Sequence, residues 1–97
     1  MYVVIFRAEI ARLDAEYEEM AARMRDLAIS QYGCREFVIS TEGNQELALS
    51  YWDNEDQIKV WRNNAEHLLA QSKGQNKWYS TYTVEVAEVV RSYSMDR

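Results

Sequence analysis

His67 is the chain's only histidine and Cys34 its only cysteine, so the residues that most often carry acid–base or nucleophilic chemistry are scarce. An imidazole titrates near neutrality, which makes His67 the natural candidate for a general base. At about 100° per residue, however, it falls off the helical stripe formed by Ile58, Trp61, Ala65 and Leu68. It projects with Val60, Asn64 and Gln71 toward a helix edge, where a partly exposed structural histidine is the commoner reading. Asn64 and Gln71 add polar groups on that edge. Arg7 lies in an apolar strand, where it can anchor an anionic ligand or, more commonly, pair with Glu9 or a carboxylate on a neighbouring strand. Cys34 has no histidine near it in sequence and reads as an ordinary buried thiol.

Aromatic side chains supply the other chemistry-bearing feature. Seven of the twelve lie from Tyr51 onward, including all three tryptophans. Trp52, Trp61, Trp78 and Tyr82, with Tyr51 and Tyr79, can wall a pocket for a flat ligand. Taken singly, each is more simply a core or interface residue. One His and one Cys give no zinc-site spacing. Three isolated glycines make no phosphate loop, and no nucleophile-elbow motif is present.

The elements that must position these residues follow from periodicity. Tyr2 to Ile10 is β-branched and aromatic, a strand. Leu13, Tyr17, Met20, Met24 and Leu27 mark a helix running to about Tyr32, with Asp14 as N-cap and Gly33 as its stop. Arg35–Thr41 and Glu46–Trp52 flank a tight turn at Gly43-Asn44. Asp53-Asn54 opens a second helix that Gly74 ends. Trp78 to about Tyr93 reads as a long last strand, whose alternation loses phase near Ala87–Val90 and predicts a bulge there. The order β-α-β-β-α-β predicts an α+β, ferredoxin-like domain over residues 1–97, with two helices on one face of a four-stranded antiparallel sheet.

Composition sets the class. The chain has 97 residues, 47% hydrophobic and 28% charged, which suits one globular domain. Eleven basic residues against sixteen acidic ones give a net charge of −5, which opposes general binding to a nucleic-acid backbone. The short apolar run Tyr2–Phe6 before Arg7 does not read as a secretory signal. No stretch approaches the roughly 20 apolar residues that span a bilayer. A cytoplasmic protein is expected.

A turn at Gly43-Asn44 sets Val38 opposite Leu49 and Ser40 opposite Leu47 on one side of the hairpin. Phe37 then meets Ser50, Ile39 meets Ala48, and Arg35 meets Trp52 on the other. Both sides carry large apolar groups, as do Val3 and Ile5 against Val4 and Phe6 in the first strand. Helices cover only one face of such a sheet, so the other needs a second cover, and a homodimer is the simplest.

Several phrases resemble the antibiotic biosynthesis monooxygenase family of dimeric α+β barrels. They are Leu49-Ser50-Tyr51-Trp52, then Ile58 and Trp61, Ala65-Glu66-His67 and Ala70-Gln71, and finally Trp78-Tyr79 with Val84, Val86 and Val89. The resemblance implies a homodimer with a pocket between sheet and helices that takes a small aromatic or polycyclic molecule. It further implies monooxygenase chemistry with no cofactor and no metal, in which the deprotonated substrate itself reduces oxygen. Under that reading His67 is the base, and Arg7, Trp52, Trp61, Asn64, Gln71, Trp78 and Tyr82 bind substrate. The alternative is a non-catalytic small-molecule-binding or regulatory dimer. The heme-degrading branch fits less well. Trp61 matches its pattern, but Gln71 stands where that pattern has an iron-ligating histidine, and Arg7 where it has an asparagine.

Overall fold

The computed structural model describes residues 1–12, 14–71 and 78–96, with backbone alone for residues 67–71. Six elements follow in order: β1 (Tyr2–Ile10), α1 (Ala15–Gln31), β2 (Glu36–Glu42), β3 (Gln45–Trp52), α2 (Glu55–Gln71) and β4 (Tyr79–Glu88). The strands form one antiparallel sheet in the order β2-β3-β1-β4. This is the ferredoxin-like α+β arrangement expected from the sequence.

Local chemistry explains the boundaries. The Asp14 carboxylate accepts the Tyr17 N–H at 2.8 Å and caps α1, satisfying a donor with no partner inside the helix. Gly33, at φ +85°, turns the chain out of α1, and a side chain there would collide with Gln57. Asn54 accepts the Gln57 N–H at 2.9 Å while Gln57 accepts the Asp53 N–H at 3.1 Å, a reciprocal cap for α2. Gly43, at φ +60°, opens the two-residue hairpin turn. The register that follows pairs Val38 with Leu49 and Ile39 with Ala48, as the turn position predicts.

Alternation along β1 and β3 assigns the faces. The even-numbered residues Ala8, Ile10, Ala48, Ser50 and Trp52 are buried, and Trp52 and Ile10 among them pack against the helices. Ala28 of α1 and Ile58, Trp61 and Ala65 of α2 pack on Trp52, Val4 and Phe37. Tyr17 of α1 packs on Ile10 and Trp78. Both helices therefore lie on one side of the sheet. Leu13, Gly74, and the side chains of Leu68 and Ala70 lie outside the described residues.

β4 departs from expectation in two ways. It ends at Glu88, where its neighbour β1 begins at Tyr2, and the Val89 N–H makes a last bond to the Met1 carbonyl at 2.9 Å. Residues 89–96 form no strand. The predicted bulge near Ala87–Val90 is absent from a pairing that runs regularly from Tyr2–Glu88 to Glu9–Thr81. The irregularity lies at the other end, between Glu9 and Ile10, where Ile10 pairs with Tyr79 instead of Ser80. A strand continues only as far as it has a partner, and pattern within one strand does not reveal where the partner stops.

Candidate functional site

The helix-facing side of β4 is unexpectedly open. Its even-numbered residues share a face with Phe6 and Ala8, since Val84 pairs with Phe6 and Tyr82 with Ala8. Yet Tyr82 is 61% exposed, Val84 40% and Val86 45%. The helix layer buries β3 and most of β1 but leaves this apolar flank wet. Apolar side chains left beside a core mark a surface that something else covers.

The irregularity at Glu9/Ile10 shapes the cluster beside that flank. It shifts the phase of β4 by one residue, so Tyr79 and Tyr82 reach the same side of the sheet. Phe6 meets Tyr79 edge-on at 5.5 Å and stacks on Tyr82 at 5.6 Å, with Tyr79 and Tyr82 5.9 Å apart. Tyr17 lies edge-on to Tyr79 at 5.9 Å and to Trp78 at 5.4 Å. These are the spacings at which aromatic quadrupoles attract.

A polar pair sits inside this apolar shell. The Tyr17 hydroxyl donates to the Glu46 carboxylate, and both residues are buried. Tyr17 also donates its backbone N–H to the capping Asp14 carboxylate, so cap and buried phenol belong to one residue. Glu46 pairs with Ala8, and Ala8 with Tyr82. Strands lie about 4.8 Å apart, which places Glu46 and Tyr82 about 10 Å from each other across a single methyl group. Burial, then the hydrogen bonds to Glu46 and Tyr79, raise the Tyr17 phenol well above its ordinary range. Burial pushes the Tyr79 phenol up to about 12, opposed by its hydrogen bond with Tyr17. Both phenols are therefore neutral near pH 7. The Trp78 indole N–H, also buried, has no hydrogen-bond partner among the described residues, a deficit of about 1–3 kcal/mol.

The residues singled out from sequence fall into separate places. Trp78 and Tyr82 belong to this cluster. Trp52 and Trp61 lie at the opposite end of the interface, 6.2 Å apart, with the Trp52 indole donating to Ser50 at 2.9 Å. Asn64 is half-buried on α2. His67 and Gln71 lie on the α2 backbone, and their side chains are outside the described residues. Arg7 is on the other face of the sheet, exposed and 3.2 Å from Glu85. Cys34 is buried, and that burial raises its thiol pKa.

Tyr17 and Glu46 were missed in the reading of the sequence. The signal for Glu46 was present: with Ala48, Ser50 and Trp52 it shares the phase that faces the helices, an unusual place for a carboxylate.

The open face carries Val38, Leu47, Leu49 and Tyr51, with Val3 and Ile5 beside them. Near the hairpin end it forms a shallow hollow of about 570 Å³ bordered by Arg7, Glu9, Ser40, Gln45, Leu47 and Thr83. Among the described residues no three metal-ligating side chains converge, and no helix is long and apolar enough to cross a membrane.

This architecture is that of the antibiotic biosynthesis monooxygenase fold. SnoaB of Streptomyces nogalater, a cofactor-independent oxygenase, superposes with a TM-score of 0.75 in its N63A mutant, at 16% identity over 94% of each chain. A putative antibiotic biosynthesis monooxygenase from Deinococcus radiodurans superposes at 0.66, with 11% identity over the whole of both chains. The protein NE2512 of Nitrosomonas europaea, of unknown function, superposes at 0.73 with 16% identity over 99% of this chain and 95% of that one. In sequence, the chain is 41% identical over 92 residues to the uncharacterized protein YqjZ of Bacillus subtilis (strain 168), spanning 93% of this chain and 80% of YqjZ. The chain belongs to the same family as YqjZ. No family model matches the sequence.

Proposed function

We propose that this protein is a homodimeric, monooxygenase-like protein that takes a small aromatic molecule into the cleft between the helix layer and β4. The exposed row Tyr82, Val84 and Val86 carries this reading, because it is apolar surface on the side that helices normally bury. A flat hydrocarbon ring covers such a row and gains about 25 cal/mol for each Å² taken from water. The likeness to SnoaB supports oxygenation without a bound cofactor as the activity. In that chemistry a ring-flanked CH₂ group loses two hydrogens and gains one oxygen atom of O₂ as a carbonyl, and the second oxygen atom leaves as water.

Under this reading Tyr82 and Trp78 line the cleft, with Trp52 and Trp61 forming the packed wall at its far end. His67 is the candidate base, with Asn64 and Gln71 beside it on α2. Arg7 borders the opposite face. There Val38, Leu47, Leu49 and Tyr51 form the surface that a second copy covers.

Oxygen uptake with an anthrone-type substrate tests the activity, and native mass spectrometry tests the subunit count. Uptake that needs both protein and substrate, and falls in His67→Ala with substrate still bound, supports an enzyme. Substrate binding with no oxygen uptake supports the non-catalytic binding module instead.

A further inference from the structure

We propose that Arg7 is the ionic anchor between two copies of this chain, the cation that lets two acidic sheet faces close on each other. The inference rests on the homodimer reading and adds to it the residue that makes the two faces compatible.

The open face is sorted by residue type. Its middle, on the central strands β1 and β3, carries Val3, Ile5, Leu47 and Leu49. Its carboxylates follow from the same register. Glu85 pairs with Ile5, Glu9 and Glu42 with Gln45, and Glu36 with Tyr51, so all four share that face. Glu36 and Glu42 lie on the edge strand β2, Glu85 on the edge strand β4, and Glu9 near the end of β1. All four are exposed. An apolar middle inside a charged margin is the layout of a protein interface.

Arg7 departs from that layout. No other Lys, Arg or His occurs in any of the four strands. Arg7 stands on a central strand, between Leu47 and Thr83 and 3.2 Å from Glu85. In a single copy this ion pair is worth little, because both side chains are mostly exposed and water screens them.

A second copy changes the balance. In a twofold interface each chain offers the same patch. A patch with both signs side by side complements itself, whereas a purely acidic one would repel its double. The repulsion is considerable here, since each face sets four carboxylates against one guanidinium on a chain of net charge −5. Covering the face removes water from Arg7, and its attraction to carboxylates of both copies grows as the local dielectric falls.

Sedimentation equilibrium of the full chain, at about 20 mM and about 200 mM NaCl, reads the dissociation constant under weak and strong screening. Arg7→Gln should weaken the dimer by about tenfold or more at the lower salt. That loss should shrink at the higher salt, where the margins repel less. The double variant Glu36→Gln/Glu42→Gln should do the opposite and tighten the dimer at low salt. Opposite signs on one face identify a charge effect, because disturbed packing weakens association in every variant. An Arg7→Gln dimer as tight as the wild type, or a loss that salt leaves unchanged, overturns the anchor and leaves the homodimer standing. A double variant no tighter than the wild type also overturns it, and decides the matter even where Arg7→Gln does not fold. A wild-type chain that sediments as a monomer at both salt concentrations overturns the homodimer and the anchor together.

Discussion

At one end of the helix–sheet interface Trp52 is fully buried, packs toward Trp61 and gives its indole N–H to Ser50. At the other end Trp78 is nearly as buried, but its N–H has no partner among the described residues, and its neighbour Tyr17 donates to a buried carboxylate. The same residue type thus serves two purposes in one layer. A satisfied indole among aliphatic and aromatic side chains stabilises the fold. An indole with no partner among the described residues, beside Tyr17, adds less to stability.

Mutations at the two ends sharpen that contrast. Trp52→Ala should have the largest effect, a loss of about 3–5 kcal/mol from cavity formation, read as a lower midpoint in urea unfolding. Tyr17→Phe, at the other end, leaves the buried Glu46 without its donor and should cost about 1–3 kcal/mol. A Tyr17→Phe protein as stable as the wild type would show that the pair does not hold this end together. The smallest change belongs to Tyr82→Ala, expected within about 0.5 kcal/mol of wild type because the ring is mostly exposed. Aromatic-probe affinity should nevertheless fall in that variant, separating recognition from stability.

Alkaline titration distinguishes the ends in another way. The Tyr79 phenol is raised from its ordinary 10.0 to about 12, and Tyr17 is raised further. The folded protein therefore holds these protons more tightly than the unfolded chain does. The Tyr79 contribution is fully present below pH 10 and is lost as pH rises through about 12, while that of Tyr17 also begins to fall above pH 10 and goes on falling past that point. Urea midpoints measured across that window should fall, and the fall should be shallower in Tyr79→Phe. Trp52→Phe, remote from both phenols, should keep the wild-type slope.

Much of this architecture was legible in the residues themselves. The Gly43-Asn44 turn fixed the hairpin register, Asp14 capped its helix, and alternation set the faces of β1 and β3. These are local signals, each contained within a few residues. The site was harder to read because it is assembled at long range. Tyr17 and Glu46 are separated by 29 residues and meet only when α1 docks on β3. The phase of Tyr79 depends on an irregularity set by two strands jointly. Which tryptophan would be satisfied depended on where Ser50 stood after folding. Glu46, by contrast, announced itself through its phase and could have been found.

The sheet order gives β4 a neighbour on one side only. β3, which carries Glu46, is laced to β2 and β1 along both margins, whereas the strand that carries Tyr82 is fastened along a single seam. This border therefore opens locally at far lower free energy than global unfolding requires. Amide deuteration should be faster along β4 than along β3, which bears the carboxylate and is paired on both sides.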